Sequence, residues 1–450
     1  GFQVHFGSHR ELNPGDYCDV LVAMNPAALK ANRKWLKQGA TVIIDGDSIT
    51  EDHLKKACFA TLDPIAELQL DEYNVVIPDI TSMTREVLRE TGLDNKAVTK
   101  CKNMFALGIC FYLFDRPEAY AIKYIETKFA KKNPAIAEAN KLAIRAGYDY
   151  AANTHQFANT YTVAPAPLEK GTYRSISGNV ATAWGLCAAA EKAGLPLFCG
   201  SYPITPATVI LEELAKRKDL GVKTVQAEDE IAGICTAIGA AFAGNFAVTT
   251  TSGPGLSLKS EALGLAVMTE LPLVVVDVQR GGPSTGLPTK TEQSDLAQAL
   301  YGRNGECPVI VVAASSPSDC FHYAFEAGRL AMEHMTPVIL LTDGFIANGS
   351  EPWRIPAMKD YPAITPPIVD EAPEGGFMPY VRNENLARGW AFPGKAGLEH
   401  RVGGLEKDCV KGCISHDPSN HQKMVRTRAE KVAKAVDDIP AQAVWGAPEG

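Results

Sequence analysis

Four polar segments lie between residues 200 and 286, and each follows a short apolar run. They cover residues 201–206 (Ser-Tyr-Pro-Ile-Thr-Pro), 226–230 (Gln-Ala-Glu-Asp-Glu), 251–255 (Thr-Ser-Gly-Pro-Gly) and 279–286 (Gln-Arg-Gly-Gly-Pro-Ser-Thr-Gly). The apolar runs before them, at residues 198–199, 222–225, 246–250 and 273–278, predict strands. The first three segments lead into helix-like patterns, so they lie at strand-to-helix turns. Because ligands bind at the carboxyl ends of strands in open parallel sheets, this pattern predicts a ligand site.

Strand-like and helix-like runs alternate along most of the chain. Six such strands between residues 176 and 350 predict a parallel sheet covered on both faces. The first 155 residues contain a βαβ pattern, with a strand at 19–24, a helix at 26–38 and a strand at 40–45. We therefore predict an α/β protein with two doubly wound parallel-sheet domains, at residues 1–155 and 176–350. A linker at residues 156–175 joins them, and an irregular, Pro-rich strap at residues 351–450 follows.

Further elements are predicted outside the main sheet. A strand is predicted at 74–80, and helices are predicted at 103–114, 118–131, 134–147 and 422–436, with Gly147 as a helix stop. Residues 1–6 have the pattern of a strand that is already under way, and no signal peptide pattern precedes them. We therefore expect the chain to be a fragment at that end.

The composition excludes several classes of protein. The 450 residues are 46% hydrophobic and 21% charged, which is typical of a soluble globular protein. A net charge of −8 provides no basic surface for nucleic acid. No apolar run reaches the roughly 18 residues of a membrane span, so a cytoplasmic protein is predicted.

The eleven cysteines are scattered, and no pair has the CxxC spacing of a zinc or cluster site. Several lie in apolar runs, which favours buried thiols in a reducing cytoplasm. Cys409, Cys413 and His416 come closest to a ligand set, but their spacing is loose and no fourth ligand is evident. No metal site is predicted in this chain.

Two residues at the predicted sheet edge suit an anionic ligand. Thr205 precedes Pro206, which fits the first position of a helix, so Thr205 is predicted to cap that helix. Its hydroxyl and the free amides of the first turn would also suit an anion. Arg280 ends an apolar strand and is followed by two glycines. A lone Arg is usually a surface residue, but one beside glycine-rich backbone is a candidate carboxylate clamp.

Three consecutive acids, Glu228, Asp229 and Glu230, open an otherwise apolar helix. The helix dipole favours a negative charge in the first turn, so a purely structural role is open. Three acids exceed what a cap needs and repel one another, which suggests a carboxyl group used in proton transfer. The segment from Ser252 to Gly255 is either a simple turn or a close approach of the backbone to a ligand.

Together, the four segments resemble the alpha subunit of 2-oxoacid:ferredoxin oxidoreductases. The resemblance rests on Tyr-Pro-Ile-Thr-Pro, the Glu-Asp-Glu helix start, Thr-Ser-Gly-Pro-Gly and Arg-Gly-Gly-Pro-Ser-Thr-Gly-Leu-Pro-Thr. It is strongest for the 2-oxoglutarate type, whose gamma domain is fused at the N-terminus, and it covers nearly the whole chain. Two departures are the missing Gly-rich start of the gamma domain and the end at Gly450, where the family's next domain is expected.

The resemblance implies thiamine diphosphate as cofactor, with residues 176–350 as the domain that binds its pyrimidine. A separate beta subunit is expected to hold the diphosphate, its magnesium and a 4Fe-4S cluster. Glu230 corresponds to the family's activating acid, which bonds the pyrimidine N1′, and Thr205 and Arg280 to residues that face the 1-carboxylate of the substrate. Lys290 is the implied contact to a distal carboxylate. The other implied cofactor contacts are Tyr202, Pro203, Ile204, Ser252 and Gly253.

The implied activity is oxidative decarboxylation of 2-oxoglutarate with coenzyme A to succinyl-CoA and carbon dioxide. Ferredoxin would take the electrons, and the reverse reaction, a reductive carboxylation, would use the same subunits as a dimer of alpha–beta pairs. One alternative is the same chemistry on pyruvate or a branched-chain 2-oxoacid. Another is a non-catalytic scaffold subunit, which predicts loss of Glu230 or Arg280; both residues are present.

Overall fold

The computed structural model describes residues 1–11, 13, 15–129, 131, 133–157, 159–439, 444, 446, 447 and 449. The chain divides into two compact units, Gly1–Glu169 and Lys170–Gly450. Both contain parallel sheets, and the predicted α/β class is confirmed. No helix among the described residues is both long and apolar enough to cross a membrane.

The first unit contains a three-stranded parallel sheet in the order β1-β2-β3. Its strands are β1 (Cys18–Ala23), β2 (Leu36–Ile44) and β3 (Asn74–Val76). Its helices are α1 (Pro26–Asn32), α2 (Glu51–Lys56), α3 (Pro64–Glu67), α4 (Ile80–Val87), α5 (Asn95–Lys100), α6 (Lys102–Leu113), α7 (Ala119–Phe129) and α8 (Pro134–Thr154). Asn25 caps α1, because its side chain accepts a hydrogen bond from the Ala28 N–H and Pro26 begins the helix.

Four predictions for the first unit are wrong in detail. Residues 1–6, predicted as a strand, form none: no neighbouring strand pairs with them among the described residues, and Phe2 is exposed. The helix predicted at 26–38 ends at Asn32, and β2 begins at Leu36. The strand predicted at 74–80 stops at Val76, shortly before Pro78, which has no N–H for a sheet ladder. The helix predicted at 134–147 runs on to Thr154.

Gly147 fails as a helix stop because it serves helix packing instead. A Cβ at Gly147 would lie 1.9 Å from the Phe105 carbonyl oxygen, and one at Gly108 would lie 2.0 Å from the Ile144 carbonyl oxygen. The two glycines therefore let the backbones of α6 and α8 touch. The helix predicted at 118–131 is α7, and Ala130, the next residue after it, lies outside the described residues.

The second unit contains a six-stranded sheet in the order β6-β5-β7-β8-β10-β9, and every pairing in it is parallel. Its strands are β5 (Leu197–Ser201), β6 (Lys223–Gln226), β7 (Phe246–Thr251), β8 (Leu273–Gln279), β9 (Ile310–Ala313) and β10 (Pro337–Asp343). All six predicted strands are present. Every residue of β7, β8 and β10 is buried, as expected of central strands covered on both faces.

Helices pack on both faces of this sheet. They are α9 (Gly178–Ala193), α10 (Thr208–Ala215), α11 (Glu230–Phe242), α12 (Gly253–Leu258), α13 (Ser260–Thr269), α14 (Leu296–Tyr301), α15 (Asp319–His334) and α16 (Gly344–Asn348). The small residues of α9 allow a close approach to α15, because a Cβ at Gly185 would lie 2.2 Å from the Phe321 carbonyl oxygen. Two short strands, β4 (Tyr173–Ser177) and β11 (Ser350–Arg354), form an antiparallel pair.

The strap contains little regular structure. Its elements beyond β11 are β12 (Ile368–Val369), β13 (Trp390–Ala391) and α17 (Pro418–Lys434), which confirms a helix where the pattern at 422–436 predicts one. Residues 440–443, 445, 448 and 450 of the strap lie outside the described residues.

Cations of the strap bind the C-terminal ends of two helices. Arg388 donates from Nε to the carbonyl oxygens of Thr269 and Glu270, where α13 ends. Lys407 reaches the Met268 carbonyl oxygen of the same helix. Such contacts satisfy carbonyl groups that have no partner inside a helix and complement the helix dipole.

Glu270 is the fully buried carboxylate at the centre of this contact. Arg382 donates to its two oxygens at 2.7 and 2.6 Å, and Lys431 donates to Oε2 at 2.6 Å and to the Met335 carbonyl oxygen at the end of α15. Burial alone would raise the pKa of Glu270, but the charges of Lys431 and Arg382 outweigh it and hold that pKa well below its usual range. The strap is therefore joined to the sheet domain by buried ion pairs.

Candidate active site

The polar segments that the sequence singled out meet at the carboxyl edge of the six-stranded sheet. Tyr202 follows β5, Glu230 begins the helix after β6, Ser252 follows β7 and Arg280 follows β8. Neighbouring parallel strands place their carboxyl ends side by side, so these residues share one edge, as predicted.

The three consecutive acids differ in their surroundings. Asp229 is the N-cap of α11, because its side chain accepts a hydrogen bond from the Ala232 N–H at 2.8 Å. Glu228 is exposed, whereas Glu230 is half-buried in the first turn. The Glu230 side chain packs on α12, since a Cβ at Gly255 would lie 3.0 Å from the Glu230 Cγ. Capping is thus done by Asp229, and Glu230 is left for another role.

Position 255 has no room for a side chain, because neighbouring side chains at this edge fill the space. The Tyr202 hydroxyl lies 2.9 Å from the Thr251 Oγ1, and a Cβ at Gly255 would come within 2.3 Å of the first and 2.0 Å of the second. Burial raises the pKa of Tyr202, and the nearby Glu230 carboxylate adds to that shift. Tyr202 is therefore an un-ionised hydroxyl beside the Glu230 carboxylate.

Lys259, at the junction of α12 and α13, is a site residue that the sequence reasoning missed. It is fully buried, and its Nζ donates to the Glu230 carbonyl oxygen at 2.8 Å and to the Thr249 Oγ1 at 3.1 Å. The same Nζ lies 5.1 Å from the centre of the Tyr202 ring. Burial lowers the pKa of Lys259 to about 8, and the Glu230 carboxylate opposes that shift. The available signal was a lone Lys inside an apolar helical run.

The prediction that Thr205 caps a helix is wrong. The helix α10 begins at Thr208, after a turn in which the Thr208 N–H donates to the Ile204 carbonyl oxygen. Thr205 nevertheless lies beside Arg280, whose Nη1 donates to the Thr205 carbonyl oxygen at 2.5 Å. The structure therefore brings these two residues together through the backbone of one and the side chain of the other.

Arg280 is a buried cation whose hydrogen-bond partners among the described residues are carbonyl groups. Nη2 donates to the Thr285 carbonyl oxygen at 3.2 Å, and Nε has no partner among the described residues. A guanidinium that is 6% exposed and held by neutral acceptors keeps its charge available for an anion.

The remaining predicted residues lie on the same edge at different depths. Lys290 is exposed, and its carbonyl oxygen accepts from the Gly281 N–H, so its backbone lies next to the residue after Arg280. Pro203 is exposed and Ile204 is half-buried. Ser252 is fully buried, and its Oγ has no hydrogen-bond partner in the described part of the chain. Gly253 begins α12.

The fold and this edge define a cofactor-binding α/β domain. Residues 189–414 match the family described as pyruvate flavodoxin/ferredoxin oxidoreductase, thiamine diP-bdg, and residues 2–150 match pyruvate ferredoxin/flavodoxin oxidoreductase. The chain belongs to the pyruvate ferredoxin/flavodoxin oxidoreductases, a family of thiamine-diphosphate-binding oxidoreductases. The resemblance seen in the four sequence segments is confirmed.

Individual relatives agree with this family. The chain is 54% identical over 432 residues to the 2-oxoglutarate oxidoreductase subunit KorA of Mycobacterium tuberculosis, covering 96% of this chain and 66% of that protein. It is 38% identical over 265 residues to the 2-oxoglutarate synthase subunit KorA of Methanothermobacter marburgensis, covering 59% of this chain and 68% of the relative. The chain spans about two thirds of the length of these relatives.

A solved structure shares the fold. It is 2-oxoglutarate:ferredoxin oxidoreductase from Magnetococcus marinus with 2-oxoglutarate, coenzyme A and succinyl-CoA bound. The TM-score is 0.83 at 32% identity, and the match covers 98% of this chain and 72% of that one.

The sheet edge fits the pyrimidine end of thiamine diphosphate. A heterocycle with ring nitrogens and an amino group needs hydrogen-bonding partners. The edge offers the Glu230 carboxylate and the Ser252 Oγ, which no described residue bonds. No group of three or more metal-ligating side chains is found in the described part of the chain. Cys409, Cys413 and His416 form no such group there.

Proposed function

We propose that this chain is the subunit of a 2-oxoacid:ferredoxin oxidoreductase that binds the thiamine pyrimidine and recognises 2-oxoglutarate. The observation that carries the proposal is Glu230, a half-buried residue that is not used as a cap and lies beside Tyr202, Gly255 and Lys259 at the ligand edge of the sheet. When bound, thiamine diphosphate supplies the electron sink for decarboxylation of the 2-oxo acid.

In this proposal each residue has one role. Glu230 shares a proton with the pyrimidine N1′, and Lys259 holds the first turn of α11 through the Glu230 carbonyl oxygen. Arg280 and Thr205 bind the 1-carboxylate of the substrate, and Lys290 contacts the distal carboxylate. The pyrimidine is lined by Tyr202, Pro203, Ile204, Ser252 and Gly253.

The reaction is the oxidative decarboxylation of 2-oxoglutarate with coenzyme A, or its reversal, and ferredoxin exchanges the electrons. A beta subunit supplies the diphosphate site, magnesium and a 4Fe-4S cluster, and the assembly is a cytoplasmic dimer of alpha–beta pairs. The names of the relatives and the ligands of the Magnetococcus marinus enzyme support this substrate and product. Turnover of 2-oxoglutarate, pyruvate and branched-chain 2-oxoacids by the assembled enzyme, with a dye as electron acceptor, tests the assignment.

The isolated chain is expected to show no turnover and no tight binding of thiamine diphosphate. The reason is that the proposed diphosphate and magnesium ligands belong to another subunit. Titration calorimetry on the isolated chain measures this directly. Micromolar affinity of the isolated chain for thiamine diphosphate would contradict the proposal that the diphosphate and magnesium ligands belong to another subunit.

Lys290→Ala is expected to raise the Michaelis constant for 2-oxoglutarate by about 10- to 150-fold, because a charge-assisted contact contributes about 1.5–3 kcal/mol. Pyruvate lacks the distal carboxylate, so its turnover should change little. Lys218→Ala, at a second lysine of the sheet domain, is the matched control. Equal losses for both substrates would make Lys290 a structural residue and remove it from substrate recognition.

A further inference from the structure

Two buried aspartates lie behind the residues of the proposed site. Asp277 is in β8 and fully buried, and Asp295 precedes α14 and is 9% exposed. Asp295 is the neighbouring charged group that acts on Asp277. Both oxygens of Asp277 and the Oδ2 of Asp295 are buried without a hydrogen-bond partner among the described residues. Because ionised carboxylates only accept hydrogen bonds and repel each other, two neighbouring buried carboxyl groups without a donor require a proton between them.

In the described part of the chain, no cation is found to act on either carboxyl group. In the sheet, Asp277 lies between Thr251 of β7 and Leu341 of β10. The charged group that acts on the pair from outside is Glu292, which is also negative. Two ionised carboxylates in contact at a buried position would repel each other strongly, whereas an acid and a carboxylate attract.

The pair connects three parts of the proposed site. Asp295 packs on Gly253, since a Cβ there would lie 2.7 Å from the Asp295 Oδ2. The Asp295 N–H donates to the Gln279 Oε1 at 3.0 Å, at the end of β8. The segment between Gln279 and Asp295 contains Arg280 and Lys290. The pair thus joins the substrate loop, residues 280–295, to the turn that carries Ser252.

We propose that Asp277 and Asp295 share one proton and thereby hold the substrate loop against the Ser252–Gly253 turn, as positioning residues for the reaction. The effect of the pair on catalysis rests on the proposed function, whereas the sharing of a proton is independent of it. Asp277, which is the more deeply buried, carries the proton and donates it to the Asp295 carboxylate.

The arrangement predicts a dependence on pH with a definite sign. Burial and the charge of Asp295 raise the pKa of Asp277 well above its usual range. Because the pKa of Asp277 is raised in the folded state, the protonated pair stabilises the folded state fully below the pKa of the unfolded state, about 4. That effect is lost as the pH rises to the folded-state pKa. Above it both carboxylates are charged, and the loop is released.

Two substitutions of Asp277 test the role of the proton, because one keeps a hydrogen-bond donor and the other removes it. Asp277→Asn keeps the shape and places an amide N–H donor toward Asp295 at every pH. Asp277→Leu keeps the branching at Cγ, but it is larger and has no donor. We therefore expect Asp277→Asn to remove the alkaline loss, and Asp277→Leu to lower turnover and the unfolding temperature at every pH.

Infrared spectroscopy of the assembled enzyme at neutral pH tests the proton itself. We expect a carbonyl-stretch band of a protonated carboxyl group that shifts in heavy water and disappears in Asp277→Asn. Above the ionisation, kcat/KM for 2-oxoglutarate should fall by up to about tenfold per pH unit in the wild type. The unfolding temperature should fall as the pH rises from about 4 to that ionisation and should level off above it. Both profiles should be flat in Asp277→Asn.

Three results would overturn the proposal. The first is the absence of a protonated-carboxyl band that Asp277→Asn removes. The second is an alkaline limb that survives unchanged in Asp277→Asn. The third is a stoichiometric divalent cation whose removal by a chelator lowers the unfolding temperature, since a cation would then replace the proton. Should the enzyme not turn over 2-oxoglutarate, the infrared band and the unfolding profile still decide the matter.

Discussion

Replacing Glu230 by Gln is expected to lower the turnover of 2-oxoglutarate by about 10²–10⁴-fold, the usual contribution of a general acid–base group. The substitution keeps the size of the side chain and the start of α11, but it removes the carboxylate that would share a proton with the pyrimidine. Stability should change by only about 0.3–1 kcal/mol, because the helix cap is Asp229 and only the dipole contribution is lost. Exchange of the cofactor's C2 proton for deuterium, measured in the assembled enzyme, isolates this step.

The neighbouring acids provide matched controls for Glu230. Glu228→Gln changes an exposed side chain, and Asp229→Asn replaces one good N-cap residue by another. Both variants should keep nearly normal exchange of the C2 proton. Slow exchange in Glu228→Gln together with normal exchange in Glu230→Gln would show that the wrong carboxylate of the three has been assigned.

Replacing Glu270 by Gln is expected to lower the free energy of unfolding by about 3–5 kcal/mol, the usual cost of breaking a buried ion pair. The loss would come from Arg382 and Lys431, whose charges would remain buried without a carboxylate. Because the Glu270 pKa is held below its usual range, its contribution is present above the unfolded pKa of about 4 and is lost as the pH falls below that value. Denaturant unfolding at several pH values measures both effects.

A double variant identifies the source of this cost. Lys431→Met removes one of the stranded cations, so Glu270→Gln combined with Lys431→Met should be more stable than the sum of the single losses predicts. Strict additivity would mean that the two side chains do not interact, in conflict with their 2.6 Å contact.

The sequence predicted the six strands of the main sheet because central strands buried on both faces are short continuous apolar runs. It also placed Tyr202, Glu230 and Arg280 on one edge, because the carboxyl ends of parallel strands must lie together. It failed for Thr205, since the rule for Pro at the start of a helix does not detect the turn that delays α10 to Thr208. Rules based on local sequence thus predicted the strands of the main sheet correctly and the helix cap at Thr205 wrongly.

Contacts between distant segments were beyond local rules. Nothing near Lys259 in the sequence shows that its Nζ meets the Glu230 carbonyl oxygen, which lies on another helix. The Glu270 ion pairs join residues more than 100 positions apart, so no spacing pattern reveals them. The strand predicted at the start of the chain failed for a related reason, because a strand needs a neighbour that its own residues do not specify.

The binding of α13 and α15 by Arg388, Lys407 and Lys431 has a consequence for how this domain is inherited. A gene segment that ended near residue 350 would encode all six strands of the main sheet but none of these three cations. A recombination event at that point would separate a buried acid from the bases that neutralise it. The family match, which continues from the sheet to residue 414, spans this point. The ends of α13 and α15 therefore depend on the strap for their cations.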